Sequence, residues 1–110
     1  LELLLPASWT AAHGLGLLHA LTARPADLVG LGHRKGRIAA GLDADFVLFD
    51  TEAEWTVDAT ALRHRHKPTP YDGQRLRGRV DATYLRGRLV YERGSLVGGP
   101  RGTTLERPRR

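Results

Sequence analysis

The histidine pair His64 and His66 is the one pattern in this chain whose residue types and spacing suit a metal ion. Two imidazoles two positions apart on a strand project to the same face and can share a zinc ion. Here the pair alternates with two cations, Arg65 and Lys67, which disfavour a dication. The segment is rich in proline, and no third ligand follows at a suitable spacing. We therefore predict a hydrogen-bonded structural or interface pair and no metal site.

The other chemistry-bearing residues favour structural roles. Asp43 and Asp45 could form a carboxylate pair for acid–base catalysis, but they follow Gly41 at a chain reversal, where aspartates bond backbone N–H groups. Several further residues lack the partners that a catalyst, a nucleophile or a phosphate-binding loop needs: His13, His19, His33, Ser8, Ser95 and the glycine-rich run 98–102. The predicted sets of catalytic, cofactor-binding and metal-ligating residues are therefore empty.

The first half of the chain predicts short helices followed by a hairpin. Pro6 is expected to break the opening apolar run, so that a helical turn covers 7–13. Leucines at helical spacing predict a helix over 15–21, and a proline near its start and a glycine at its end predict another over 24–30. A short strand ending at Ile38, a turn at Gly41 and a strand over 46–49, covered on both faces, follow.

The second half predicts further strands. Alternation predicts a strand over 54–57, and Asp58 is expected to cap a helical turn through Leu62. Residues 64–73 are predicted as a loop. A hairpin over 76–85 and 88–92 turns at 86–87, with Val80, Ala82 and Tyr84 on one face. We interpret Trp9 and Trp55 as core anchors and 98–110 as a flexible tail.

Composition narrows the classes of protein. The 110 residues lack cysteine and methionine, and no run approaches the roughly 20 apolar residues that span a bilayer. We expect a piece of a longer cytoplasmic protein, one domain in size, without disulfides. Residues 1–50 carry a net charge of −1 and the rest +6, for a total of +5. A basic β module that binds nucleic acid or anions is therefore an alternative, although we favour a compositional bias from GC-rich coding as the explanation of the dispersed arginines.

Two motifs give the chain a resemblance to a known superfamily. The run Lys-Gly-x-Ile-x-x-Gly-x-Asp-Ala-Asp-x-Val-x-x-Asp over 35–50 resembles the C-terminal motif of metal-dependent amidohydrolases. Residues 64–73 read His-x-His-Lys-x-Thr-Pro-Tyr-x-Gly, and 76–90 read Leu-x-Gly-x-Val-x-x-Thr-x-Leu-Arg-Gly-x-x-Val. This second segment is similar to the end of allantoinases, among the cyclic amidohydrolases. Dihydropyrimidinases and dihydroorotases are similar through the first motif.

The resemblance implies an α+β fragment. Residues 1–32 would form the last helices of a TIM barrel, 33–97 the C-terminal strands of its small β-sandwich, and 98–110 a tail. The activity implied is hydrolysis of a cyclic amide C–N bond, allantoin to allantoate, with another cyclic amidohydrolase substrate as the alternative.

The family's machinery is a binuclear zinc centre bridged by a carboxylated lysine, with histidine ligands and one aspartate on barrel strands. None of these ligands matches a position here, so we assign no cofactor to this fragment and expect it to be inactive alone. The implied partners are the rest of the amidohydrolase chain and further copies, as in a tetramer. We expect no membrane and no nucleic-acid partner.

Overall fold

In the part of the chain that the structure describes, three helices precede a four-stranded antiparallel sheet. The computed structural model describes residues 2–12, 14–63, 66 and 68–106, apart from the side chain of Leu15. The helices are α1 (Leu4–Ala11), α2 (Leu15–Leu21) and α3 (Ala23–Leu28). The strands are β1 (Phe46–Thr56), β2 (Arg75–Leu85), β3 (Arg88–Glu92) and β4 (Ser95–Leu96), with a 3₁₀ turn over Ala59–Ala61. The strand order β1-β2-β3-β4 makes the sheet a meander of sequential neighbours.

The sheet confirms the predicted hairpin and adds one strand. Arg86 (φ 49°) and Gly87 (φ 78°) adopt the left-handed conformation of a two-residue hairpin turn between β2 and β3. A second turn of the same kind at Arg93 and Gly94 leads into β4. Sequence reasoning missed β4 because a strand of two residues has no periodicity to detect.

Strand β1 joins two segments that the sequence separates. The predicted strands 46–49 and 54–57 are one strand with a register shift between Asp50 and Glu54. The Asp50 carboxylate accepts hydrogen bonds from the backbone N–H groups of Glu52 (3.0 Å) and Ala53 (3.2 Å). These bonds satisfy backbone donors where the ladder is interrupted, so the strand continues through the irregularity.

The core lies where α1 packs on β1 and β2. Val57, Leu62 and Leu76 are buried, and Leu3, Ala7 and Trp55 pack against them. The Trp55 indole N–H donates to the Gly78 carbonyl oxygen at 2.7 Å. Trp9 meets the Phe49 ring edge to face, with 5.9 Å between ring centroids. Both tryptophans are half-buried packing residues, as predicted.

The helix predictions are confirmed except at the first helix. Helix α1 begins at Leu4 and includes Pro6, so the expected break at Pro6 is wrong. Proline is tolerated in a first turn because the N–H it lacks would have no partner inside the helix there. The Asp58 cap is confirmed, because its carboxylate accepts from the Thr60 N–H at 2.9 Å. His13 lies outside the described residues.

Two strand predictions are wrong. Residues 35–38 form no strand, since Gly36 has φ 89° and Ile38 is 84% exposed with little to pack against. The strand over 46–49 is not covered on both faces, because Val47 (42%) and Leu48 (51%) are exposed on opposite faces. In the described part of the chain, no helix has the length and apolar character needed to cross a membrane.

Candidate functional site

An ion-pair cluster holds together the irregular segment that precedes β1. The Lys35 ammonium group, whose side chain is only 15% exposed, contacts Asp43 Oδ2 at 2.7 Å and also binds Asp45 Oδ2. Arg34 Nε donates to the same Asp43 oxygen at 2.7 Å. Two cations and two carboxylates, all between Arg34 and Asp45, therefore neutralise each other.

The same cluster fastens this segment to the β2–β3 turn. Asp45 Oδ1 accepts a hydrogen bond from the Arg86 backbone N–H at 2.8 Å. The Gly87 N–H donates to the Ala44 carbonyl oxygen at 2.9 Å. We call Arg34, Lys35, Asp43 and Asp45, together with these two backbone bonds, the clasp. It joins residues about 40 positions apart at one end of the sheet.

The clasp shifts the pKa of each group that carries it. A hydrogen bond from Lys35, assisted by Arg34, lowers the pKa of Asp43 against the opposing effect of partial burial. Partial burial raises the pKa of Asp45, but bonds from Lys35 and the Arg86 N–H outweigh it, so the net shift is downward. Burial lowers the pKa of Lys35, and its bonds to both aspartates more than reverse that effect. All three groups are therefore held charged at neutral pH.

These shifts predict acid sensitivity of the fold. Because the pKa values of Asp43 and Asp45 are lower in the folded chain than the ordinary value of about 3.9, their stabilising contribution is complete above pH 5. It is lost as the pH falls through the folded-state values, below about pH 4. Urea unfolding midpoints between pH 6 and pH 2.5 measure this loss. The variant Lys35→Met should lose less stability over that range, and an identical pH profile in both proteins would contradict the assignment.

A second ion pair fixes the segment to helix α3. The Arg37 guanidinium donates two parallel hydrogen bonds to the Asp27 carboxylate, at 3.0 and 2.6 Å, and lowers the pKa of Asp27. Beside it, Gly36 lies so close to the helix that an added Cβ would stand 2.7 Å from the Ala26 Cβ. The segment before β1 is thus held at both ends, by α3 and by the hairpin turn.

This geometry gives Asp43 and Asp45 structural partners. The sequence predicts that they bond backbone groups at a turn, and one such bond is present, from Arg86 to Asp45. Their main partners are Lys35 and Arg34, whose part sequence reasoning missed. The sequence feature that could have indicated these ion pairs is the presence of two aspartates eight and ten positions after Lys35. Carboxylates neutralised in this way are poorly placed to accept a proton, so the clasp is better suited to holding structure than to acid–base chemistry.

The remaining candidates are not brought together. His19, His33 and His66 are exposed, as is Ser95, whereas His13 and His64 lie outside the described residues. Over 2–12, 14–63, 66 and 68–106, no group of three or more His, Cys, Asp or Glu side chains is arranged to hold a metal ion. These residues therefore do not fit a binuclear metal centre.

Among the described residues, two clefts adjoin the β2–β3 turn. One, of about 220 Å³, lies between the clasp and the C-terminal residues Gly102, Thr103 and Leu105. The other, of about 370 Å³, shares Leu85 and Arg86 with the first and is also lined by Arg88 and Arg101. Residues 98–106 form neither helix nor strand, and residues 107–110 lie outside the described part, so the flexible tail remains a prediction.

Comparison with known proteins identifies the family of the chain. The model of the Amidohydrolase family matches residues 15–91. An allantoinase from Streptomyces avermitilis is 42% identical over 112 residues, which cover 97% of this chain and 25% of that protein. A dihydroorotase from Anaplasma phagocytophilum is 40% identical over 96 residues, covering 83% of this chain and 21% of that protein.

A solved structure agrees in fold. The L-hydantoinase (dihydropyrimidinase) from Arthrobacter aurescens superposes with a TM-score of 0.78 at 31% identity, over 89% of this chain and 22% of that one. The chain spans about a fifth to a quarter of the length of the curated relatives it matches. The family match and the agreement in fold together show that this chain belongs to the amidohydrolase family.

Proposed function

We propose that this chain is the C-terminal part of a metal-dependent hydrolase of cyclic amide C–N bonds, and that its substrate is allantoin, which is converted to allantoate. The observation that carries the proposal is the match to an allantoinase along 97% of the chain at 42% identity. A second allantoinase, from Deinococcus radiodurans, is 48% identical over 81% of the chain.

Hydrolysis of a related ring is the alternative. Dihydroorotase and D-hydantoinase relatives are 40% and 39% identical, close to the value for the first allantoinase. Sequence identity at this level, over a quarter or less of each relative, supports the class of reaction more strongly than it supports any one ring as the substrate. The alternative therefore concerns the substrate and leaves the type of bond cleaved unchanged.

Within such an enzyme, we assign this chain a supporting role. Residues 1–32 would close a TIM barrel, 33–97 would form part of the adjoining β-sandwich, and 98–110 would be a tail. The clasp and the Arg37–Asp27 ion pair support this division, because together they anchor the segment between the helices and β1 at both ends. No catalytic step is assigned to any of the described residues, since they do not fit the metal centre that the full reaction would use.

The isolated chain is expected to be inactive. Purified chain incubated with zinc and either allantoin, dihydroorotate or hydantoin should give ring opening no faster than the blank, because no three or more His, Cys, Asp or Glu side chains among the described residues are arranged to hold a metal ion. The measurement is product formation followed by chromatography. Zinc-dependent turnover of any of the three rings by the purified chain would overturn the supporting role.

The isolated chain is also expected to self-associate. Within the described residues, β1 pairs only with β2, which leaves its other edge open beside the exposed side chains of Val47 and Leu48. Light scattering at about 50 µM should show oligomers, and Leu48→Lys should reduce them. Leu28→Lys on α3, where Leu28 is 82% exposed, is the matched control and should have no effect. A monodisperse monomer in the unmodified chain would contradict the open edge.

A further inference from the structure

Three arginines lie close together at the β2–β3 turn, and the proposed hydrolase function gives them no role. The 370 Å³ cleft is lined by Leu85, Arg86, Arg88 and Arg101. None of the three guanidinium groups lies within 4 Å of a carboxylate among the described residues. We infer that this cleft, the arginine cleft, binds a small polyvalent oxyanion of the phosphate class.

The central arginine of the cleft is held by neutral acceptors. Arg86 Nη2 donates to the Arg101 carbonyl oxygen at 2.7 Å, and Nη1 lies 3.5 Å from the Thr103 hydroxyl. A guanidinium has five N–H donors, so these two contacts leave others for a ligand. An arginine positioned in this way loses little further conformational entropy when it binds an anion.

The neighbouring clasp does not cancel the charge of the cleft. The clasp contains the carboxylates of Asp43 and Asp45, and their contacts to Arg34 and Lys35 balance two negative charges with two positive ones. Asp45 contacts Arg86 through the backbone N–H, which carries no formal charge. The three arginines of the cleft therefore keep a local excess of positive charge, within a half-chain that carries +6 in total.

The lining favours a small oxyanion over a nucleic acid. Guanidinium groups bind phosphate through paired, charge-assisted hydrogen bonds. Single-stranded nucleic acids are bound on surfaces where aromatic side chains stack on the bases, and none of the described residues that line the arginine cleft is aromatic. A phosphate-class dianion can contact several arginines at once. A monovalent anion can pair with fewer of them.

Titration calorimetry with inorganic phosphate on the 110-residue chain tests this inference at low ionic strength. We expect saturable binding that the double substitution R88Q/R101Q weakens by about tenfold or more, the loss expected for two charge-assisted bonds. Both side chains are exposed, and neither forms a hydrogen bond or ion pair with another described residue, so the variant should fold. Thermal melting of each protein verifies this.

The matched control is R24Q/R93Q. It removes the same charge from exposed positions on α3 and at the opposite end of β3, and it should change phosphate affinity less than twofold. Absence of saturable binding up to 50 mM phosphate, or equal loss in both double variants, would overturn the inference. Binding of a 12-nucleotide single strand that depends on Arg88 and Arg101, without phosphate binding, would also overturn it and favour a nucleic-acid surface.

Discussion

Replacing Gly78 with alanine will lower the free energy of unfolding by about 3 kcal/mol. Gly78 has φ 101°, and a Cβ built there would lie 2.4 Å from Phe49 Cζ and 3.1 Å from Trp9 Cδ1. Those two rings join β1 to helix α1, and the Gly78 carbonyl oxygen accepts the Trp55 indole bond. The added methyl group therefore disturbs the contact between helix and sheet as well as straining the backbone. Urea unfolding followed by tryptophan fluorescence measures the change.

Gly41→Ala is the matched control for this substitution. Gly41 also has a positive φ, 87°, but nothing lies within 4 Å of an added Cβ. Its effect should be limited to backbone strain, about 1 kcal/mol. Equal losses at the two positions would show that the rings of Trp9 and Phe49 do not constrain Gly78, and would contradict the packing described for the core.

Replacing Lys35 with methionine will lower the free energy of unfolding by about 2 kcal/mol. Methionine fills most of the space of the lysine stem but leaves Asp45 without its cation, and leaves Asp43 with Arg34 alone. Because the Lys35 side chain is only 15% exposed, water compensates little for the lost contacts. Chemical unfolding at pH 7 gives the value, and the same variant serves the pH comparison above.

Arg75→Met provides the comparison at the surface. Arg75 pairs with Glu54 at 2.8 Å, and the two side chains are 71% and 53% exposed. Ion pairs this open to solvent contribute little, so the loss should be much smaller than for Lys35→Met. A loss as large for Arg75 as for Lys35 would show that the clasp is no more than an ordinary surface pair.

Most elements could be predicted from sequence because their signals are local. Alternation from Leu76 to Tyr84 gave β2, and leucines at helical spacing gave α2. The wrong prediction of a strand ending at Ile38 shows what local sequence signals cannot predict. The apolar and glycine pattern of residues 35–38 suits a hairpin, but a hairpin also needs a partner strand and a surface on which Ile38 could pack. Ion pairs formed by Lys35 and Arg37 hold the segment in an irregular conformation instead.

The candidate site could be predicted only in part. The sequence identified Asp43 and Asp45 as candidate residues and predicted that they have a structural role. The contact of Asp45 with Arg86, 41 positions away, depends on how the sheet brings the hairpin turn to the start of β1. The arginine cleft depends on the same placement, together with residues 98–106, for which the sequence indicates no regular structure. Long-range contacts of this kind leave no periodic pattern in a single sequence.

The most direct test of the supporting role is a chimera assay. The part of the Streptomyces avermitilis allantoinase that matches this chain would be replaced by residues 1–110, and zinc-dependent hydrolysis of allantoin would be compared with that of the isolated chain. We predict a chimera that opens the ring and an isolated chain that does not. Turnover by the isolated chain, or a correctly folded chimera that binds zinc without hydrolysing allantoin, would contradict the account.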